Sequence, residues 1–384
     1  MRVPLAWRNL ASNRQRLVVS VLGIASAVVL MFMEVGFFNA MLDSQVALIH
    51  ILDGSLVLVN RTKSTLSTNM PFPRRRLYQA LAVDGVVAAY PVFIEMEASV
   101  WRNPQERTRR PLRVIAFDPD HPLFRPPDIE RMRRALRQAD TALFDVKSRP
   151  EYGVVRPGLT TELAGRSVHV VGIFTLGRDF TNEGNAIVSA TNFARLFPHR
   201  AAPGGDLESV ELGVVQTAPG ADALAIRRVL RDALPDDVAI FTRDELVRKE
   251  MSYWQTSVPI GYVFGLGAVM GFVIGSIICY QILFNDVSDH LPQFATLKAI
   301  GYPNRYLVGV VVRQGLLLSI LGFVPGSVVA HVLYRQLDAA AGLPMQLTVP
   351  RLALVQALTM VMTVLSGLLA VRRAVAADPA EVFG

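Results

Sequence analysis

Four lysines, six histidines and one cysteine are the residues with which this 384-residue chain could do nucleophilic, general-base or metal chemistry, and their spacing excludes most of it. The histidines stand at 50, 121, 169, 199, 290 and 331, with no H-E-x-x-H pair and no cysteine pair to complete a zinc site. No G-x-S-x-G elbow presents a serine nucleophile. The lysines, at 63, 147, 249 and 298, never follow a glycine in a G-x-x-x-x-G-K-[ST] loop, so the chain cannot cradle nucleotide phosphate in that way. No catalytic residue, metal ligand or bound cofactor is expected, and the chain is not expected to be an enzyme. Cys279 lies in an apolar run and has no second cysteine to pair with.

One cluster around a lysine remains. LPQFATLKAIGYPN, residues 291–304, lies between two long apolar stretches and carries helix start and stop signals. Pro292 suits the first helical position and turns Leu291 away from helical angles. Gly301 suits the left-handed position after a helix, and Pro303 blocks its resumption. The spacing predicts a helix over 292–300, with Phe294, Leu297 and Ile300 on one face and Lys298 near the C-terminal end, where a cation is favoured. Nine residues do not hold a helix in water unaided. This one must pack on the membrane surface, on the chain's own apolar helices or on a cytoplasmic partner. His290, beside it, reads as a polar loop residue.

The elements that must position this segment are membrane spans. Hydrophobic residues make up 51% of the chain and its mean hydropathy is +0.34, too apolar for an ordinary soluble protein. Residues 17–38, 258–284, 306–334 and 352–371 are each long and apolar enough to cross roughly 30 Å of hydrocarbon. The first is too long for a signal-peptide core. Arg2, Arg8, Arg14 and Arg16 precede the first span without an acid among them, and Arg372 and Arg373 follow the last. Both termini, 1–16 and 372–384, are therefore expected in the cytoplasm of an inner-membrane protein. The loop 285–305 is then cytoplasmic, whereas 335–351 and the long segment 39–257 are extracytoplasmic.

Within 39–257, strands are expected at 55–59, 92–100, 112–117, 168–174, 210–216 and 237–242, and helices at 74–83 and 221–234. The expected fold is an α-helical membrane protein with four transmembrane helices and a large extracytoplasmic α+β domain between helices 1 and 2. Two lobes, about 50–120 and 150–245, would be joined by the proline-dense DPDHPLFRPPD. Residues 244–257 read as a stalk helix, a lever if continuous with the second span, with Tyr253 and Trp254 at the membrane interface. The net charge of +7 is spread over the cytoplasmic flanks and this domain, which argues against nucleic acid. The arginines of 102–137 read as a solvated surface or as a contact for anionic lipid or an acidic partner.

Within the spans, Gly267, Gly271 and Gly275 repeat at four-residue spacing, as do Gly261 and Gly265, and predict a groove for close helix packing. Pro325, between Gly322 and Gly326, predicts a kink in the third span. Glu34 is the most costly residue in lipid; it lies at the outer end of its span or faces the bundle or a partner.

The run QFATLKAIGY, 293–302, resembles the cytoplasmic coupling segment of FtsX-like, MacB-type permeases of ATP-binding-cassette systems. The start PLAWRNLASNRQRLVVSVLGIASAVVLMFMEVGF is similar to the DevC branch, and the tail RRAVAADPAEVFG resembles the family's D-P-A-E ending. The resemblance implies that Gln293, Phe294, Ala295, Leu297, Lys298, Ile300 and Gly301 contact a separate ABC ATPase, which uses the ATP. Gln293 stands where the family usually carries glutamate, so a charge contact is missing. Asp378, Pro379 and Glu381 have the pattern of a helix cap. The resemblance further implies a homodimer in contact with membrane lipids that transmits motion outward, with a membrane-fusion protein and an outer-membrane channel, to export a lipid or other hydrophobic compound. The alternative from the same family is a regulator that activates an extracytoplasmic enzyme or sensor.

Overall fold

The computed structural model describes residues 14–342 and 344–376, so the expected cap at Asp378, Pro379 and Glu381 and the first ten residues of the DevC-like run lie outside the described residues. The chain forms two compact units. One contains Met1–Ala40, Pro259–Ala339 and Met345–Gly384; the other contains Met41–Val258 and Ala340–Pro344.

The first unit is built on four helices long and apolar enough to cross a membrane. They belong to α1 (Arg14–Ile51), α7 (Pro259–Asp289), α9 (Asn304–Ala341) and α10 (Val349–Ala376), with the short α8 (Leu291–Ala299) between α7 and α9. All four outrun the apolar stretches read from the sequence, because a helix continues past the hydrocarbon wherever no proline or glycine stops it. The expected loop 285–305 is consequently mostly helical. Pro325 lies inside α9, and its two glycine neighbours serve packing: a methyl on Gly322 would meet Ile24 Cγ2 at 2.6 Å, and one on Gly326 would meet Val28 Cγ1 at 2.8 Å. Absent side chains at these points let α9 approach α1 closely.

The second unit is an α+β domain around an eleven-stranded, mainly antiparallel sheet. In chain order the strands are β1 (Leu56–Asn60), β2 (Phe72–Pro73), β3 (Val86–Glu95), β4 (Val100–Arg102), β5 (Arg109–Pro111), β6 (Arg113–Phe117), β7 (Thr141–Asp145), β8 (Thr160–Leu163), β9 (Arg166–Phe174), β10 (Asn185–Ser189), β11 (Ser209–Val210), β12 (Leu212–Thr217) and β13 (Val238–Thr242). The large sheet runs β13-β1-β12-β3-β6-β10-β7-β9-β8-β4-β5, and β2 pairs with β11 separately. Both faces are covered, as the alternation within single strands shows: Leu56, Leu58, Phe93, Val114 and Ala116 enter one apolar core, and Val57, Val59, Val92, Ile94, Ile115 and Phe117 the other. Strands buried on both faces read as unbroken apolar runs.

The two expected lobes are not consecutive in sequence. β3 is long enough to pair with β12 through its first part and with β6 through its last, so β1, β12 and β13 gather on one side and residues 100–189 supply the other. DPDHPLFRPPD therefore joins no lobes. The expected helices appear as α2 (Arg75–Leu81) and α5 (Ala223–Ala233), followed by the stalk helix α6 (Arg243–Thr256); α3 (Pro127–Met132) and α4 (Ala190–Leu196) complete the set.

The stalk helix differs from expectation in three ways. Its cap is Thr242, in a reciprocal capping box with Glu245. It stops at Thr256, and α7 begins anew at Pro259, whose ring and missing N–H break the hydrogen-bond ladder, so the lever is interrupted. Trp254 is buried in the α+β unit instead of standing at a membrane interface, with Nε1 donating to Glu250 at 3.0 Å. The basic belt is largely paired internally: Arg102 and Arg109 with Glu162, Arg110 with Glu183, Arg113 with Asp179, Arg133 with Glu130 and Arg137 with Asp120. Ion pairs within the fold leave little of its charge for a lipid surface.

Candidate functional site: the short helix α8 and its seat

α8 runs from Leu291 to Ala299, one residue earlier than expected. Leu291 is helical despite the following proline, because His290 takes the cap position at φ −96°, ψ 9° and absorbs the turn between α7 and α8. At the other end Gly301 adopts φ +98°. Its N–H donates to the Lys298 carbonyl at 3.0 Å, and the Tyr302 N–H to that of Leu297 at 3.1 Å, which is a Schellman closure. Only glycine takes that backbone without strain.

The apolar residues do not share one face. Phe294 and Ala295 are buried in the helical unit, Leu297 and Lys298 are half-buried, and Gln293, Thr296 and Ile300 point outward, Ile300 being 70% exposed. Three-residue spacing rotates about 60° backwards at each step on a helix of 3.6 residues per turn, so the triplet Phe294, Leu297, Ile300 winds from the inner side to the outer. α8 packs against α7 and α10 with Phe294 buried, and the outward row offers a separate surface.

Polar contacts beneath α8 hold the junction. His290 Nδ1 lies 2.8 Å from the Asp286 carbonyl oxygen and 3.7 Å from Asp286 Oδ1, and Asp286 is itself buried. Arg16 of α1 forms an ion pair with Asp289 at the last turn of α7. His290 lies in the turn between α7 and α8, as the sequence suggests, and there it is also the cap and tether of α8. The sequence signal that could have found it is a carboxylate four residues before a histidine at the end of a charge-free run.

The glycines of α7 take different environments. A methyl on Gly271 would meet Glu34 Cγ at 3.6 Å and Leu30 Cγ at 3.8 Å, and one on Gly275 would meet Met362 Sδ at 2.6 Å and Ala27 Cβ at 3.3 Å. Gly267 lies against the Glu34 carboxylate. Nothing lies within 4 Å of the corresponding point on Gly265. No cluster of three or more histidine, cysteine, aspartate or glutamate side chains suited to a metal occurs among the described residues. The α+β unit contains a cavity of about 920 Å³ whose lining includes Arg149, Arg178, Phe180 and Glu183. Its charges are mixed, and Glu183 is held by Arg110 and Arg149.

Residues 264–379 match the family model for the FtsX-like permease C-terminal region. An uncharacterized ABC transporter permease of Mycobacterium tuberculosis (strain ATCC 25618 / H37Rv) is 24% identical over 389 residues, covering 99% of this chain and 98% of that protein. Another, from Mycobacterium bovis, is 30% identical over 119 residues, covering 30% of this chain and 32% of that protein. Among solved structures, the periplasmic region of MacB from Actinobacillus actinomycetemcomitans is similar at 9% identity with a TM-score of 0.36, covering 52% of this chain and 92% of that one.

Proposed function

Taking the chain as an ABC transporter permease subunit with an FtsX-like C-terminal region, we propose that α8 is the surface on which a separate ATPase docks, and that the ATP-driven stroke passes through it to α7 and outward to the α+β unit. The observation that carries this reading is the division of α8 into two faces. Phe294 and Ala295 seat the helix in its own bundle, while Gln293, Thr296 and Ile300 are left for a partner. A helix anchored on one side and open on the other moves with whatever binds it. The same reading places both termini and α8 in the cytoplasm, and the α+β unit outside the inner membrane.

The cargo is a lipid or other hydrophobic compound, exported by a homodimer working with a membrane-fusion protein and an outer-membrane channel, in the manner of the DevC branch. The support for that branch is the similarity of the N-terminal run.

The test is Ile300→Asp in the full chain, reconstituted with its ATPase. Because Ile300 is exposed, folding should be unchanged, and stimulation of ATP hydrolysis by the permease should fall at least tenfold. Full stimulation would place the docking surface elsewhere. Co-purification with a membrane-fusion protein supports export, whereas capture of a cell-wall hydrolase in its place would favour the regulatory alternative.

A further inference from the structure

Glu34 is a carboxylate whose surroundings in the fold do not complete it. It stands in the apolar run 17–38 of α1 and lies against α7 at Gly267, about 12 Å along that helix from Pro259. Residues 258–284 carry no charge. A methyl on Gly267 would meet the Glu34 carboxylate carbon at 3.1 Å and Oε1 at 3.6 Å, so only the absence of a side chain there lets the carboxylate rest against the α7 backbone. Among the described residues no hydrogen bond or ion pair reaches it. A charge at such depth costs a few kcal/mol unless something pairs with it.

Aromatic rings stand beside this position. Phe37, one turn after Glu34 on α1, stacks on Phe264, one turn before Gly267 on α7, with ring centroids 6.4 Å apart and planes at 20°. A carboxylate next to aromatic faces in an apolar medium is the chemistry that recognises an organic cation, by charge from one side and by the negative ring faces from the other. An anion would be repelled. A bare metal ion needs about six oxygen ligands, and a single carboxylate does not provide them.

We propose that Glu34, seated on Gly267, and the neighbouring Phe37 and Phe264 form an intramembrane site for the cationic head of an amphiphile. The proposal deepens the export reading by naming the ligand's chemical class, and rests on that reading for placing the site in the outer part of the bilayer.

The experiment uses the full chain in phosphatidylcholine nanodiscs and two probes of equal size and opposite charge, tetraphenylphosphonium and tetraphenylborate. Tetraphenylphosphonium should bind saturably above empty nanodiscs, and tetraphenylborate should not. Glu34→Gln, close in volume, should weaken the cation at least tenfold; Glu34→Asp should weaken it less, and Phe264→Leu severalfold. Binding by Glu34→Gln equal to that of the wild type overturns the proposal, as does the absence of saturable binding. Stimulation of the ATPase is measured in the same nanodiscs. Absent binding with intact stimulation rejects the site alone; binding without stimulation supports the site and rejects the permease reading.

Discussion

Glu250, buried in the α+β unit, and Glu34, half-buried within an apolar run of the helical unit, are carboxylates that the fold treats oppositely. Glu250 is 1% exposed and accepts hydrogen bonds from the Thr65 hydroxyl, from the Leu66 N–H at 3.0 Å and from Trp254 Nε1 at 3.0 Å. Neighbouring Lys249 donates to the carbonyls of Lys63 and Ser64, so α6 is fastened to the 61–68 loop by complementary groups. Burial still pushes the Glu250 carboxyl above its ordinary range, against the opposing pull of those donors. Glu34 has no such set. A carboxylate whose donors are all internal serves the fold, and one left open is available to a ligand.

The largest expected effect is from Glu250→Ala, which leaves the Leu66 N–H and the Trp254 indole N–H buried without an acceptor. Chemical unfolding of the full chain should show a loss of about 3–5 kcal/mol. Glu34→Gln, which removes a charge that nothing in the fold pairs, should cause no loss in the same measurement and a gain of up to a few kcal/mol. Equal losses in the two variants would erase the distinction.

Next in size is a pH effect at Lys63. This side chain is 2% exposed, and its ammonium has no hydrogen-bond partner among the described residues. Burial pushes its pKa down from 10.5 to about 8, against the pull of Glu211 and Glu250. Between those two pH values the unfolded chain holds a proton that the folded chain has released. Stability therefore rises with pH across that window, by an amount of the order of 3 kcal/mol. The rising limb should vanish in Lys63→Met; its persistence would show that another group titrates there. A smaller loss is expected from Trp254→Phe, which removes one of three donors from Glu250 and should cost about 1–2 kcal/mol in melting experiments.

The spans were legible because an apolar run of twenty or more residues with at most one charge has few other uses. The helix ends were less so: the propensity that keeps α1 helical to Ile51 does not register the edge of the hydrocarbon. In the α+β unit the expected strands recur as β1, β6, β9, β12 and β13 within two residues, but the one expected at 92–100 meets only the last part of β3, and β7 and β10 are not among those expected. Five residues buried on both faces carry no alternation to distinguish them. Strand partners were also hidden, since nothing local in β3 tells that it pairs first with β12 and then with β6. At α8 the proline and glycine signals marked the boundaries to within a residue. Which side is buried depends on α7 and α10, and the four-residue spacing of Asp286 and His290 makes a tether because α7 runs on to Asp289.

The central claim, that α8 hands the motion of an ATPase to α7 through its buried side, is tested most directly by Phe294→Ala in the reconstituted complex, with ATP hydrolysis and export measured together. Removing the ring leaves the outward row in place and loosens its anchor, so hydrolysis should persist while export falls at least tenfold per ATP consumed. Export remaining proportional to hydrolysis in that variant would contradict the account.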